Sequence, residues 1–64
     1  WRVRYTENEF CHMTRGRVAI EDVHGTKWEF KAGDSFVIPA GFAGIWHVIE
    51  PASKLYVIFE PATK

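Results

Sequence analysis

Apolar and polar residues alternate along most of this chain. Trp1-Arg2-Val3-Arg4-Tyr5 sets two aromatic rings and a valine on one face and two arginines on the other, the period-two signature of a half-buried strand. Thr6-Glu7-Asn8 interrupts the alternation as a turn. Glu9–Thr14 and Arg17–Val23 read as two extended segments joined at Arg15-Gly16, where glycine can supply the positive φ of a tight reversal. His24-Gly25 predicts a second hairpin turn, leading into Thr26–Phe30, in which Trp28 and Phe30 share one face. Ala32-Gly33-Asp34 is another turn, and Ser35–Ile38 is a short apolar strand that Pro39 closes, because proline cannot donate to a ladder. After a loop over residues 39–44, Ile45–Glu50 and Lys54–Glu60 form the last predicted strand pair, around Pro51-Ala52-Ser53.

No segment of helical length shows a 3.6-residue period, and there is no internal repeat, linker or low-complexity tract. Seven short strands with closely spaced turn signals predict a single all-β domain, a sandwich or small barrel whose interior can hold a ligand. The last strand is apolar on both faces, with Leu55, Val57 and Phe59 on one and Tyr56 and Ile58 on the other. A strand of that kind is expected to be covered on both sides, by a second layer or a second subunit.

Composition narrows the partners. Eight Lys plus Arg balance eight Asp plus Glu along the chain, so there is no basic stripe for nucleic acid and no charged face for a membrane surface. No apolar run approaches the length of a bilayer span, and nothing behind Trp1 resembles a signal core. The lone Cys11 cannot form an internal disulfide, which fits a reducing compartment, so the expected location is the cytoplasm. With 47% hydrophobic residues the chain is globular in composition, but 64 residues bury only a limited core. That limit, together with the two-faced final strand, predicts a homodimer.

Several spaced residues carry a family resemblance. Glu9, six residues and Gly16 resemble the second half of the first cupin motif; Gly33, five residues, Pro39, one residue and Gly41 resemble the start of the second. Together with Gly33-Asp34, Pro39-Ala40-Gly41-Phe42, Trp46-His47-Val48 and Lys54-Leu55-Tyr56, they are similar to the cupin subgroup that includes ethanolamine-utilisation and ureidoglycine-hydrolase-related proteins. The resemblance implies a jelly-roll (RmlC-like cupin) barrel or sandwich, and it implies that strands preceding Trp1 are absent from this chain.

Metal-binding members of that superfamily supply two histidines shortly before the glutamate and another three residues after the second glycine of the second motif. The matching positions here are Arg2 and Arg4, or Val3 and Tyr5, and then Gly44, so that only Glu9 remains as a donor. One carboxylate does not hold a transition metal, which needs three or four converging donors. No metal and no other cofactor is therefore expected. Counting by twos puts Cys11 and Met13 on the face of Glu9 and His12 opposite, and puts Trp46 and Val48 inward with His47 outward.

The expected site is a barrel pocket for a small organic ligand, with Glu9 and Tyr56 as candidate catalytic residues and Cys11, Trp46 and Lys54 as candidate ligand-binding residues. Trp46 and Tyr56 suit core packing as well as pocket lining, and Lys54 reads either as an anion-binding group or as an edge guard. Glu9 in an apolar pocket would have a raised pKa and serve as general acid or base, unless Arg4 or Lys54 lies within about 4–6 Å, while Tyr56 would polarise a substrate oxygen. Two further readings stay open: metal-dependent hydrolysis of a carbon–nitrogen bond, which the ureidoglycine resemblance implies, and a non-catalytic binding or assembly subunit.

Overall fold

In the computed structural model, which describes residues 1–60, the alternation resolves into five antiparallel strands. They are β1 (Arg2–Arg4), β2 (Asn8–Asp22), β3 (Lys27–Lys31), β4 (Ser35–Ile38) and β5 (Ala43–Phe59). β2 and β5 pair along nearly their whole lengths, from Asn8 opposite Phe59 to Asp22 opposite Gly44. On its other edge β2 takes β4 against Glu9–His12 and β3 against Arg17–Glu21, while β1 lies on β5 at Ala43, Gly44 and Ile45. Among the described residues, no helix is long and apolar enough to cross a membrane.

Five strands replace the seven expected, because two expected breaks are bulges. Arg15-Gly16 does not reverse the chain, and residues 51–53 do not separate two strands; both lie inside the continuous ladder of β2 and β5. Gly16 does take the positive φ that glycine permits, at +78°, but it spends it on register shifts between Met13 and Val18. Pro51, which has no amide hydrogen, occupies the facing stretch of β5 where the ladder is irregular. The turns at Gly25 and Gly33 are as expected. Asp22 Oδ1 accepts from the backbone N–H groups of His24 and Thr26, both at 2.9 Å, and Asp34 Oδ2 accepts from that of Lys31 at 2.8 Å.

The bulge bends the long ribbon back on itself. Cys11 pairs with Phe36 and Val18 with Phe30, so a straight β2 would separate those two phenylalanines by roughly 23 Å at about 3.3 Å per residue. Their rings instead stack with centroids 3.8 Å apart and planes 13° from parallel. The two halves of the sheet therefore face one another in the manner of a jelly roll. Cys11, Met13, Val18, Ile20 and Ile38 are all buried between them, with Tyr5, Phe30, Phe36, Phe42 and Trp46 packed around Cys11, Ile20 and Ile38.

The end of β5 lacks the expected cover within the described residues. Leu55, Val57 and Phe59 are 65%, 60% and 44% exposed on the outer face, where they adjoin Phe10 and Val37, and Tyr56 and Ile58 are about half exposed on the inner one.

The bend makes a prediction about glycine. A Cβ on Gly16 would collide with the Pro51 carbonyl oxygen and lie 2.7 Å from Ala52 Cα, both backbone atoms that cannot swing away. Gly16→Ala is expected to cost about 3 kcal/mol or more, the left-handed backbone term of 1–2 kcal/mol plus the collision. Gly25 has a similar φ, +86°, but open space around it, so Gly25→Ala should cost only about 1 kcal/mol. Urea denaturation of the two variants tests the difference; equal losses would mean that the Gly16–Pro51 approach does not control the bend.

Candidate functional site

The period-two phase of β2 carries Glu9, Cys11 and Met13 to the inner face, and cross-strand pairing sets Ile58, Tyr56 and Lys54 of β5 beside them. Met13 is opposite Lys54, so the lysine stem runs over buried apolar surface and its ammonium reaches back along the strand. It donates to Glu9 Oε2 at 2.8 Å, with side-chain exposures of 29% for Lys54 and 10% for Glu9. Cys11 Sγ donates to the same oxygen at 3.0 Å and lies 3.9 Å from Lys54 Nζ. Because the ribbon is bent, Trp46 from the other half of the sheet comes under the ammonium, with its ring centroid 4.4 Å away; the Tyr56 ring is at 5.5 Å.

Charge states follow from these contacts. Burial alone would push the Glu9 carboxyl up, but the hydrogen bonds from Lys54 and Cys11 and the lysine charge outweigh it and hold the carboxyl below its ordinary value. The raised Glu9 pKa expected from an apolar pocket is thus corrected: Lys54 lies within the distance at which a cation reverses the shift. For Lys54, burial works to lower the pKa, and the Glu9 hydrogen bond and neighbouring negative charge more than reverse it. Burial, followed by the Glu9 contact, pushes the Cys11 thiol up to about 12, so it is a neutral donor and not a nucleophile. The Tyr5 phenol is raised by burial and then by the Glu9 charge, against Lys54 and the Trp46 indole N–H. That N–H is buried near the phenol without full hydrogen-bond geometry to any described residue.

Beside Lys54 lies a half-open cavity of about 200 Å³, walled by Val3, Tyr5, Val18, Trp46, Ser53 and Lys54 among others. Of the expected site residues, Trp46 and Lys54 line it. Glu9 and Cys11 sit behind the ammonium, and Tyr56 stands on the same face, 59% exposed and outside the walls. Tyr5 and Val3 are cavity residues that the site reading passed over, although they share the inward phase of the first strand. A second cavity of about 240 Å³ is lined by apolar and aromatic side chains, among them Ile20, Trp28, Phe30, Phe36, Ile38 and Phe42.

The donor set does not fit a cupin metal. Glu9 is taken up by Lys54 and Cys11, and the inward residues of the first strand are Val3 and Tyr5. His12 turns outward to Ser35 Oγ at 2.7 Å and His47 to Glu21 Oε1 at 3.0 Å, as the strand phase predicts. No three His, Cys, Asp or Glu side chains converge among the described residues.

Known proteins match this chain in two ways. A sequence model described as the EutQ-like cupin domain matches residues 1–56. The fold is similar to the crystal structure of a DUF861 family protein from Thermotoga maritima, with a TM-score of 0.89 and 32% sequence identity over 92% of this chain and 67% of that one. No curated protein matches.

Replacing the cation tests the charge assignment. Lys54→Met leaves Glu9 buried without its partner and is expected to lose about 2–3 kcal/mol at pH 7, less than a fully buried pair because Lys54 is partly solvated. The wild-type contribution of Glu9 is present above the ordinary carboxylate range and is lost as pH falls through its lowered folded value. In the variant the orphaned carboxyl protonates readily, so the gap between the two proteins should narrow between pH 7 and about pH 3.5. Urea denaturation at both values checks this, and a gap independent of pH would show that Glu9 is not the group responding.

Proposed function

The chain belongs to the EutQ-like cupin domain family, and we propose that it is a small-molecule-binding domain whose ligand sits between Trp46 and Lys54 without a tightly held transition metal. The observation that carries this reading is the ammonium itself. Lys54 is fixed by Glu9 at 2.8 Å and over Trp46 at 4.4 Å, at the wall of a cavity lined mainly by apolar and aromatic groups. A flexible lysine held in one place is preorganised to meet a ligand.

In this reading Glu9 positions Lys54 rather than acting as an acid. An ionised carboxylate has no proton to give, and Glu9 does not reach the cavity wall. Tyr56 lies outside the cavity and has no part in the proposed contact. The carbon–nitrogen hydrolase reading needs a metal for which the donors do not converge among the described residues, so binding is the function best supported. The single buried thiol suits the cytoplasm as its location.

The test is a fragment titration followed by the indole N–H resonances in a ¹H–¹⁵N spectrum. Small aromatic and aliphatic fragments should shift the Trp46 signal and leave that of Trp28, which lines the second cavity, in place. The shifts should persist in excess chelator. A Trp46 signal that no fragment moves, or one that moves only when metal is added, would overturn the proposal.

A second copy belongs to the same reading. Phe10, Val37, Leu55, Val57 and Phe59 form one uncharged outer stretch on the order of 500 Å², at the upper end for a monomer's largest apolar patch. Paired with itself across a two-fold axis it would bury on the order of 1,000 Å², the lower bound for a specific interface. Having no charge, the patch meets a copy of itself without repulsion. Sedimentation at micromolar concentration should show a dimer, and Val57→Lys, at a position 60% exposed, should return it to monomer without loss of fold. A wild-type protein that stays monomeric at every concentration would remove the second copy.

A further inference from the structure

We infer that the ligand is a small carboxylic acid with a flat apolar body, its carboxylate held by Lys54 and its body lying against Trp46 and Tyr5. The inference rests on the binding reading above and names the chemistry that the walls select.

Polarity on the walls is one-sided. Among the described residues Lys54 is the only charged side chain that lines the cavity; the other polar side chains on its walls, Tyr5, Trp46 and Ser53, are neutral. Val3, Val18, Val48 and Met13 offer no polar atom that competes. Glu9, which cancels the lysine charge at a distance, is only 7% exposed and lies behind the ammonium, so the cavity meets the cationic side of the pair. An ammonium has three hydrogens. One goes to Glu9 Oε2 at 2.8 Å, and the contact with Cys11 Sγ at 3.9 Å is at best weak, so at least one hydrogen remains for a ligand acceptor.

Three classes of ligand compete for that hydrogen. An amine meets a like charge and finds no carboxylate on the walls, so it is rejected. A neutral amide or alcohol can accept, but its hydrogen bond lacks the charge assistance that roughly doubles the strength of an N⁺–H···O⁻ contact. A carboxylate places one oxygen on Lys54 and leaves the second to water at the half-open mouth. Size sets the body: about 200 Å³ is somewhat more than the ~150 Å³ of an engineered apolar cavity that takes one benzene, enough for one small ring with its acid group. The Trp46 face, already under the lysine, gives that ring a stacking surface.

Three isosteric probes separate this inference from the reading beneath it. Benzoate, benzamide and benzylamine are titrated separately into the wild-type protein while the Trp46 and Trp28 indole signals are followed. Benzoate should bind at the Trp46 site at least about tenfold more tightly than benzamide, and benzylamine should not bind. Lys54→Gln should remove that advantage by weakening benzoate and leaving benzamide within about twofold. Because the benzoate-to-benzamide ratio is measured on the wild-type chain, the inference stays testable if the variant does not fold. Equal affinities for benzoate and benzamide, or a folded Lys54→Gln protein that binds benzoate undiminished, would overturn the carboxylate assignment and leave the pocket reading standing. If none of the three moves Trp46, or if only Trp28 responds, both fall.

Discussion

The architecture depends on one close approach, that of the Gly16 backbone to Pro51. Two strands of fifteen and seventeen residues paired without interruption would form a long flat ribbon with one greasy face open to water. The crossing of Gly16 and Pro51 breaks the ladder where neither side can maintain it: one residue adopts a φ of +78° and the other lacks a donor. From that bend follow the stacking of Phe30 on Phe36, the burial of Cys11 and Ile20 in one cluster, and the reach of Lys54 to Trp46. Only a residue without a Cβ permits it.

Electrostatics then settles what the bent sheet can hold. A carboxylate enclosed beside a thiol and a tryptophan would be neutral if left alone, since removing it from water penalises the charged form most. Lys54 changes the outcome, and the result is a paired charge whose partners lie forty-five positions apart in the chain. Such a pair adds little net stability over a well-packed apolar alternative, because desolvating two charges consumes most of their attraction. What it does supply is position: an otherwise mobile ammonium is confined above an indole at the edge of a cavity, where the proposed ligand would meet it.

Much of this was legible in the residue pattern, and the failures have physical causes. Strand phase separated Glu9, Cys11, Met13 and Trp46 from His12 and His47 correctly, because alternation on a pleated strand is purely local. Gly25 and Gly33 were legible as turns for the same reason. Gly16 was misread as a hairpin turn, since a positive φ serves a bulge as well as a reversal and only the partner strand decides between them. Proline at position 51 misled in the same way. The charge on Glu9 was out of reach because it depends on how far Lys54 extends across the bend, a tertiary distance that no spacing encodes. Tyr5 was passed over although its phase was visible, because the turn that follows it obscures where the inward face ends.

The far half of β5 joins the two surfaces on which the proposed function depends. Its alternation sends Lys54 and Tyr56 toward the side of the cavity and Leu55, Val57 and Phe59 outward, so one backbone segment carries both the cavity-wall lysine and the exposed apolar stretch. Beyond Lys54 and its ion pair, the strand is exposed on both faces and held by its ladder to β2, and segments with few buried contacts open at low cost. Any contact that covers the outer face therefore restrains the same backbone from which Lys54 projects, and tighter restraint there reduces the ordering that a ligand must bring about when it binds. The outer face and the cavity wall thus share a single strand, so the proposed second copy and the proposed ligand would act on one backbone segment.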